Sequence, residues 1–168
     1  MTSECPGCRA QLPDSDGPTH RYIGASPACW VMYSNLLAGF PPLPHTRTGP
    51  LVVDAYAAQH PGESSPQATQ SVAIHLVTLF AILDRGHDPA EAVRLRATGV
   101  EVGRLSGHDY PKLLPVPDRW DITIADIVTA DDSDRAGLVD GYVRDVLARW
   151  HALHGELVEQ WYWSTRLG

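Results

Sequence analysis

Two of the three cysteines in this chain stand together as Cys5-Pro6-Gly7-Cys8, the pairing with the plainest capacity for chemistry. A Pro-Gly pair between two cysteines makes a tight knuckle whose thiolates can grip one metal ion, as tetrahedral zinc sites require. The redox alternative expects the pair at a helix N-terminus within a βαβ unit, a setting this sequence does not offer. CxxC is half a site, so further donors must come from elsewhere. Cys29 leads because thiolate is the softest ligand left. Ser26-Pro27 reads as an N-cap followed by proline at the first helical position, which puts Cys29 in the first turn, where the helix dipole favours a thiolate. The competing reading makes Cys29 a small buried hydrophobe. The ligand set read from sequence is Cys5, Cys8, Cys29 and His75 around Zn2+, with His20, His60 or water as alternatives for the fourth position. His20, in Asp16-Gly17-Pro18-Thr19-His20, is equally readable as a surface-loop histidine.

A second group lies further along the chain. Gln67, Gln70, Ser71, His75 and Thr78 recur at three- and four-residue steps among apolar neighbours, drawing a polar stripe on a helix. An amphipathic helix needs one solvated face, yet this stripe carries no charge before Asp84 and Arg85, which suits a shielded pocket better than open water. The preceding segment contributes Asp54, Tyr56, Gln59 and His60, the last three sharing a face by their spacing. If that face meets the stripe, His60 and His75 converge with Gln59 and Gln70, and Tyr56 stands at the rim. His60 or His75 would then move protons while Asp54 orients an imidazole, with Tyr56, Gln59, Gln70, Ser71 and His20 lining the pocket. The bland alternative is a hydrogen-bonded network that fixes helix packing. His151 and His154 read as core histidines beside Trp150. No nucleophile elbow, phosphate loop, HExxH or EF-hand pattern occurs.

Helices must position these groups. Residues 1–25, rich in Pro, Gly, Asp and Ser, read as an irregular arm in need of a staple, and residues 26–168 as a helical body. The expected helices run from Ser26-Pro27 toward Leu37, Leu51 to Gln59, Gln67 to Asp84, and Asp88-Pro89 to about Ala97. His60 precedes proline and so belongs at a helix end. A loop is expected from Gly99 to Trp120, including Tyr110-Pro111, and a helical turn at Asp121-Ile122-Thr123-Ile124. A long helix or kinked pair should follow from about Ser133 to Thr165, its apolar stripe running through Val139, Tyr142, Val146, Trp150, Leu153, Leu157 and Trp161. The fold class is therefore all-α, a single-domain helical bundle with a metal-stapled N-terminal arm.

Composition narrows the partners. The chain has 168 residues, 43% of them hydrophobic, enough to bury one core. A net charge of -7, with Lys112 the one lysine among 13 basic residues, argues against nucleic acid or anionic membrane. Without a leader-like N-terminus or a long apolar run, a cytoplasmic location is expected, where the cysteines stay reduced.

The motifs Cys5-Pro6-Gly7-Cys8, Asp16-Gly17-Pro18-Thr19-His20, Ser26-Pro27 with Cys29-Trp30, Val53-Asp54-Ala55-Tyr56 with Gln59-His60-Pro61-Gly62, and Gln70-Ser71-Val72 with His75-Leu76 together resemble a bacterial family known only as a domain of unknown function. The resemblance covers the chain from Cys5 to about Trp161. It implies that the three cysteines and the two helical histidines belong to one recurring set, and it supplies no activity. Two functions follow as expectations. One is a zinc-dependent enzyme, of hydrolase or lyase type, acting on a small polar molecule between the two central helices. The other is a non-enzymatic protein whose zinc is structural and whose body binds a partner or small ligand. A thiol-based redox or metal sensor is a third.

Overall fold

Helix starts in this chain are written in Ser-Pro and Asp-Pro pairs, and the computed structural model, which describes residues 1–105 and 113–167, places a helical start at each. Ser26 accepts from the Cys29 amide at 3.3 Å and opens α1 (Pro27–Leu37). Ser65 accepts from the Ala68 amide at 3.1 Å and opens α3 (Pro66–Leu83), which follows α2 (Val52–Gln59). Asp88 caps a short 3₁₀ turn, Pro89–Glu91, that leads into α4 (Ala92–Leu105). In each case the cap satisfies an amide that the first helical turn leaves without a partner, and proline sits where its missing N–H costs nothing. α5 (Ile124–Thr129) begins with Thr123, whose backbone N–H donates to the Asp126 carboxylate at 2.7 Å. α6 (Asp132–Leu167) completes the helices.

Three findings differ from the sequence expectation. The arm is not wholly irregular: β1 (Thr2–Glu4) and β2 (Gln11–Pro13) pair antiparallel, with Ser3 opposite Leu12, so the cysteine knuckle is the turn of a hairpin. Strands of three residues are too short for their alternation to be visible in sequence. α4 continues past Ala97, across Gly99 and Gly103, to Leu105. Those glycines face α3: a Cβ at Gly99 would stand 3.0 Å from an Ile74 side-chain carbon and one at Gly103 2.7 Å from the Gln70 amide carbon. Close helix packing thus outweighs the roughly 1 kcal/mol per glycine that propensity subtracts. The segment at Asp121 to Thr123 is non-helical, and the helix starts at Ile124. The loop expected at Tyr110-Pro111 lies outside the described residues.

α3 is the central rod. It packs against α2, α4 and α6, and α1 packs against α5. By length and composition α3 could cross a membrane, but 67% of it is buried by its neighbours, the signature of a core helix. Trp150 of α6, fully buried, donates from its indole nitrogen to the Ala58 carbonyl at 2.9 Å, and this fixes α2 against α6. α6 is interrupted at His154 (φ −139°, ψ 24°), just before Gly155. The apolar stripe shifts there: Val139 to Trp150 are buried, whereas Leu153 is 44% exposed and Val158 takes its place in the core.

Candidate metal centre

Three separate segments bring four donors to one point. The hairpin supplies Cys5 and Cys8, α1 supplies Cys29 from its first turn, and the C-terminal cap of α2 supplies His60. All four residues are buried, and their ligand atoms lie within 4.8 Å of one another. Cys8 Sγ stands 3.9 Å from Cys29 Sγ, which stands 3.3 Å from His60 Nε2. Zinc–sulfur bonds of about 2.3 Å and zinc–nitrogen bonds of about 2.0–2.1 Å imply tetrahedral edges of roughly 3.8 Å and 3.5 Å, so the spacing fits such an ion.

Each donor is oriented by its surroundings. The knuckle is closed by the Cys5 amide donating to the Ala10 carbonyl and the Arg9 amide to the Cys5 carbonyl, both at 2.9 Å, with Arg9 at φ 65°. The Ser26 amide donates to Cys5 Sγ at 3.4 Å, and the Trp120 indole N–H to the Gly7 carbonyl at 3.0 Å. Gly7 leaves no room for a side chain, since a Cβ there would meet the His60 ring at 2.5 Å. Pro61 pushes His60 out of helical geometry (φ −120°, ψ 62°), and the ring turns back so that Nδ1 donates to the Tyr56 carbonyl at 2.9 Å. A carbonyl only accepts, so Nδ1 carries the proton and Nε2 presents a lone pair toward the thiols, the arrangement in which metal-ligating histidines are held. Behind them Tyr56 donates to Cys29 Sγ at 3.5 Å and stacks on Tyr33 with centroids 3.7 Å apart.

The electrostatics of three adjacent thiols favour one charge and resist more. Hydrogen bonds from Cys29 and Cys8 hold the Cys5 thiol far below its ordinary value. The bond to Cys5, then that to Cys8, then burial push Cys29 strongly upward. Cys8 is drawn down by its bond to Cys29 but pushed up further by its bond to Cys5, burial and the Cys5 charge, reaching about 12. Three thiolates can share this pocket only with a cation among them.

The remaining sequence candidates are distributed differently. His60, not His75, is the donor brought to the cysteines. The α2 residues Tyr56 and His60 face the arm, while Asp54, about 200° around the helix from Tyr56 at 3.6 residues per turn, faces His75. Asp54 Oδ1 lies 2.8 Å from His75 Nδ1. Gln59 is fully buried, donating to the Ile122 carbonyl at 2.9 Å and accepting from the Tyr142 hydroxyl at 3.2 Å, so it ties α2 to α6. His20 is exposed, accepts from the Tyr22 amide at 3.2 Å, and stays outside the cluster. Gln70, Ser71 and His75 do line one groove, together with Gln67, Tyr22 and Arg96. Arg96 was not a sequence candidate. Its Nη2 donates to Asp54 Oδ2 at 3.2 Å from 42 positions away, and no local pattern signals such a contact. Trp120, which holds the knuckle, was likewise invisible.

The fold and the cluster define a mostly helical protein with a buried Cys3His donor set able to hold a metal ion. The chain belongs to a family of unknown function, DUF5946, whose model matches residues 3–151. No curated protein and no solved structure matches it.

Proposed function

We propose that Cys5, Cys8, Cys29 and His60 hold one zinc ion in a structural role, and that the ion staples the N-terminal hairpin to the helical body. The observation that carries this is the completeness of the donor set: four protein ligands, at 0%, 3%, 2% and 0% exposure. A catalytic zinc keeps a coordination position for water or substrate, whereas structural sites are closed. The arm also needs the link. Of its two strands only Leu12 is buried, and a lone two-stranded hairpin is marginal in water. Structural zinc binding, worth about 10–16 kcal/mol in zinc-finger peptides, far exceeds what that contact supplies.

On this account zinc does no chemistry, and a groove lined by α3 and α4 is open to a ligand of the body. Cobalt substitution tests the closed site. A protein loaded with Co2+ should show the absorption of a tetrahedral thiolate complex, unchanged by added azide. A spectrum that shifts on azide addition would reveal an open position and favour an enzyme acting at the metal.

A further inference from the structure

Asp54 is a wholly buried carboxylate, and such a group is retained only when its charge is matched. Arg96 matches it, with Nη2 at 3.2 Å from Oδ2 and Nε at 2.9 Å from Oδ1. His75 completes the set, its Nδ1 2.8 Å from Oδ1. The carboxylate can only accept, so Nδ1 carries a proton, and in the neutral ring Nε2 is then the acceptor. Among the described residues no hydrogen-bond partner meets Nε2. The imidazole is 18% exposed and lines a groove of about 380 Å³. Arg96, 24% exposed, lines the same groove, and among the described residues its Nη1 is uncommitted.

The remaining walls indicate what fits. Asp54, behind the wall, offsets the charge of Arg96; Tyr22, Gln67, Gln70 and Ser71 are polar but neutral, and Ile74 and Val100 are apolar. With the one lining cation already paired to a carboxylate, that lining suits a small uncharged molecule better than a phosphate or a polyanion. An acceptor nitrogen oriented by a buried carboxylate, beside an N–H donor, is the arrangement of general-base acyl transfer.

We propose that this groove is a hydrolytic site for small uncharged carboxylic esters, separate from the metal centre, with His75 as general base and Asp54 as its positioning residue. His75 Nε2 takes a proton from water as the water oxygen bonds to the acyl carbon. The carbon–oxygen bond to the leaving group then breaks, and Nε2 returns the proton to the departing oxygen, giving acid and alcohol. Arg96 Nη1 donates to the acyl oxygen as negative charge develops there.

Hydrolysis of p-nitrophenyl acetate by the purified, metal-containing protein tests this, with zinc content and thermal midpoint measured for every variant. His75→Gln should lower the rate at least about 10-fold. Asp54→Asn should lower kcat while KM stays within about twofold, as expected of a group acting through another. A folded His75→Gln protein that hydrolyses the ester as fast as wild type would overturn the proposal. Should that variant not fold, diethyl pyrocarbonate labelling of the wild-type protein decides. His75 should be ethoxycarbonylated at Nε2 faster than the exposed His45, and slower labelling of His75 would overturn the proposal. A wild-type protein purified without stoichiometric zinc that still shows the His75-dependent rate would contradict the metal assignment and leave this one standing.

Discussion

Four side chains make up the candidate metal centre, and each tests it separately. Cys29→Ser or His60→Ala leaves a buried, incomplete donor set, so zinc content should fall and unfolding stability should drop by more than about 3 kcal/mol. Zinc analysis and denaturant melts check this. His75→Gln, outside the cluster, should keep its zinc. Acid should also release the ion, and the sign follows from the thiols. Without metal, Cys8 is pushed up to about 12 and Cys29 is raised as well, so both keep their protons at neutral pH. The metal-bound state lacks those protons, so affinity rises with pH and falls as pH falls, by about 100-fold per unit for two displaced protons. Competition titrations with a chromophoric chelator at several pH values measure that slope. At this scale the sequence named the three thiols that the structure brings together. It did not choose His60 over His75, because the choice depends on how α2 is rotated against α3 and α6, and the buried Trp150 and Tyr142 of α6 set that rotation.

At the scale of elements, the account rests on close approaches between the hairpin, the exit of α2 and α4. Gly7 abuts His60, and a Cβ at Gly24 would stand 2.4 Å from the Pro61 carbonyl oxygen. The segment leading into α1 is joined to the exit of α2 by the Gly24 amide donating to the His60 carbonyl at 2.9 Å. Gly7→Ala should therefore weaken zinc binding and lower the thermal midpoint together, although alanine adds only one methyl. Gly103→Ala meets only the far end of the Gln70 side chain and gains helix propensity, so it should change stability by less than about 1 kcal/mol and leave zinc content unchanged. Thermal melts paired with metal analysis separate the two outcomes. Helix starts were legible because Ser-Pro and Asp-Pro pairs are local signals. The extension of α4 across two glycines and the short strands of the hairpin were not, since tertiary packing determines both.

The molecule divides its chemically capable residues between two faces of α2. His60 goes to the thiols and Asp54 to His75, so a single short helix serves both the cysteine cluster and a polar groove. The sequence set these residues together by spacing and implied one convergent pocket, but helical rotation separates them. The first face is tested by metal and free thiols counted on the same sample, purified under reducing conditions without chelator. One zinc per chain is expected, with three cysteines protected from a thiol reagent until a chelator or acid removes the ion. A folded chain without stoichiometric metal, its thiols unaffected by chelator, would contradict it.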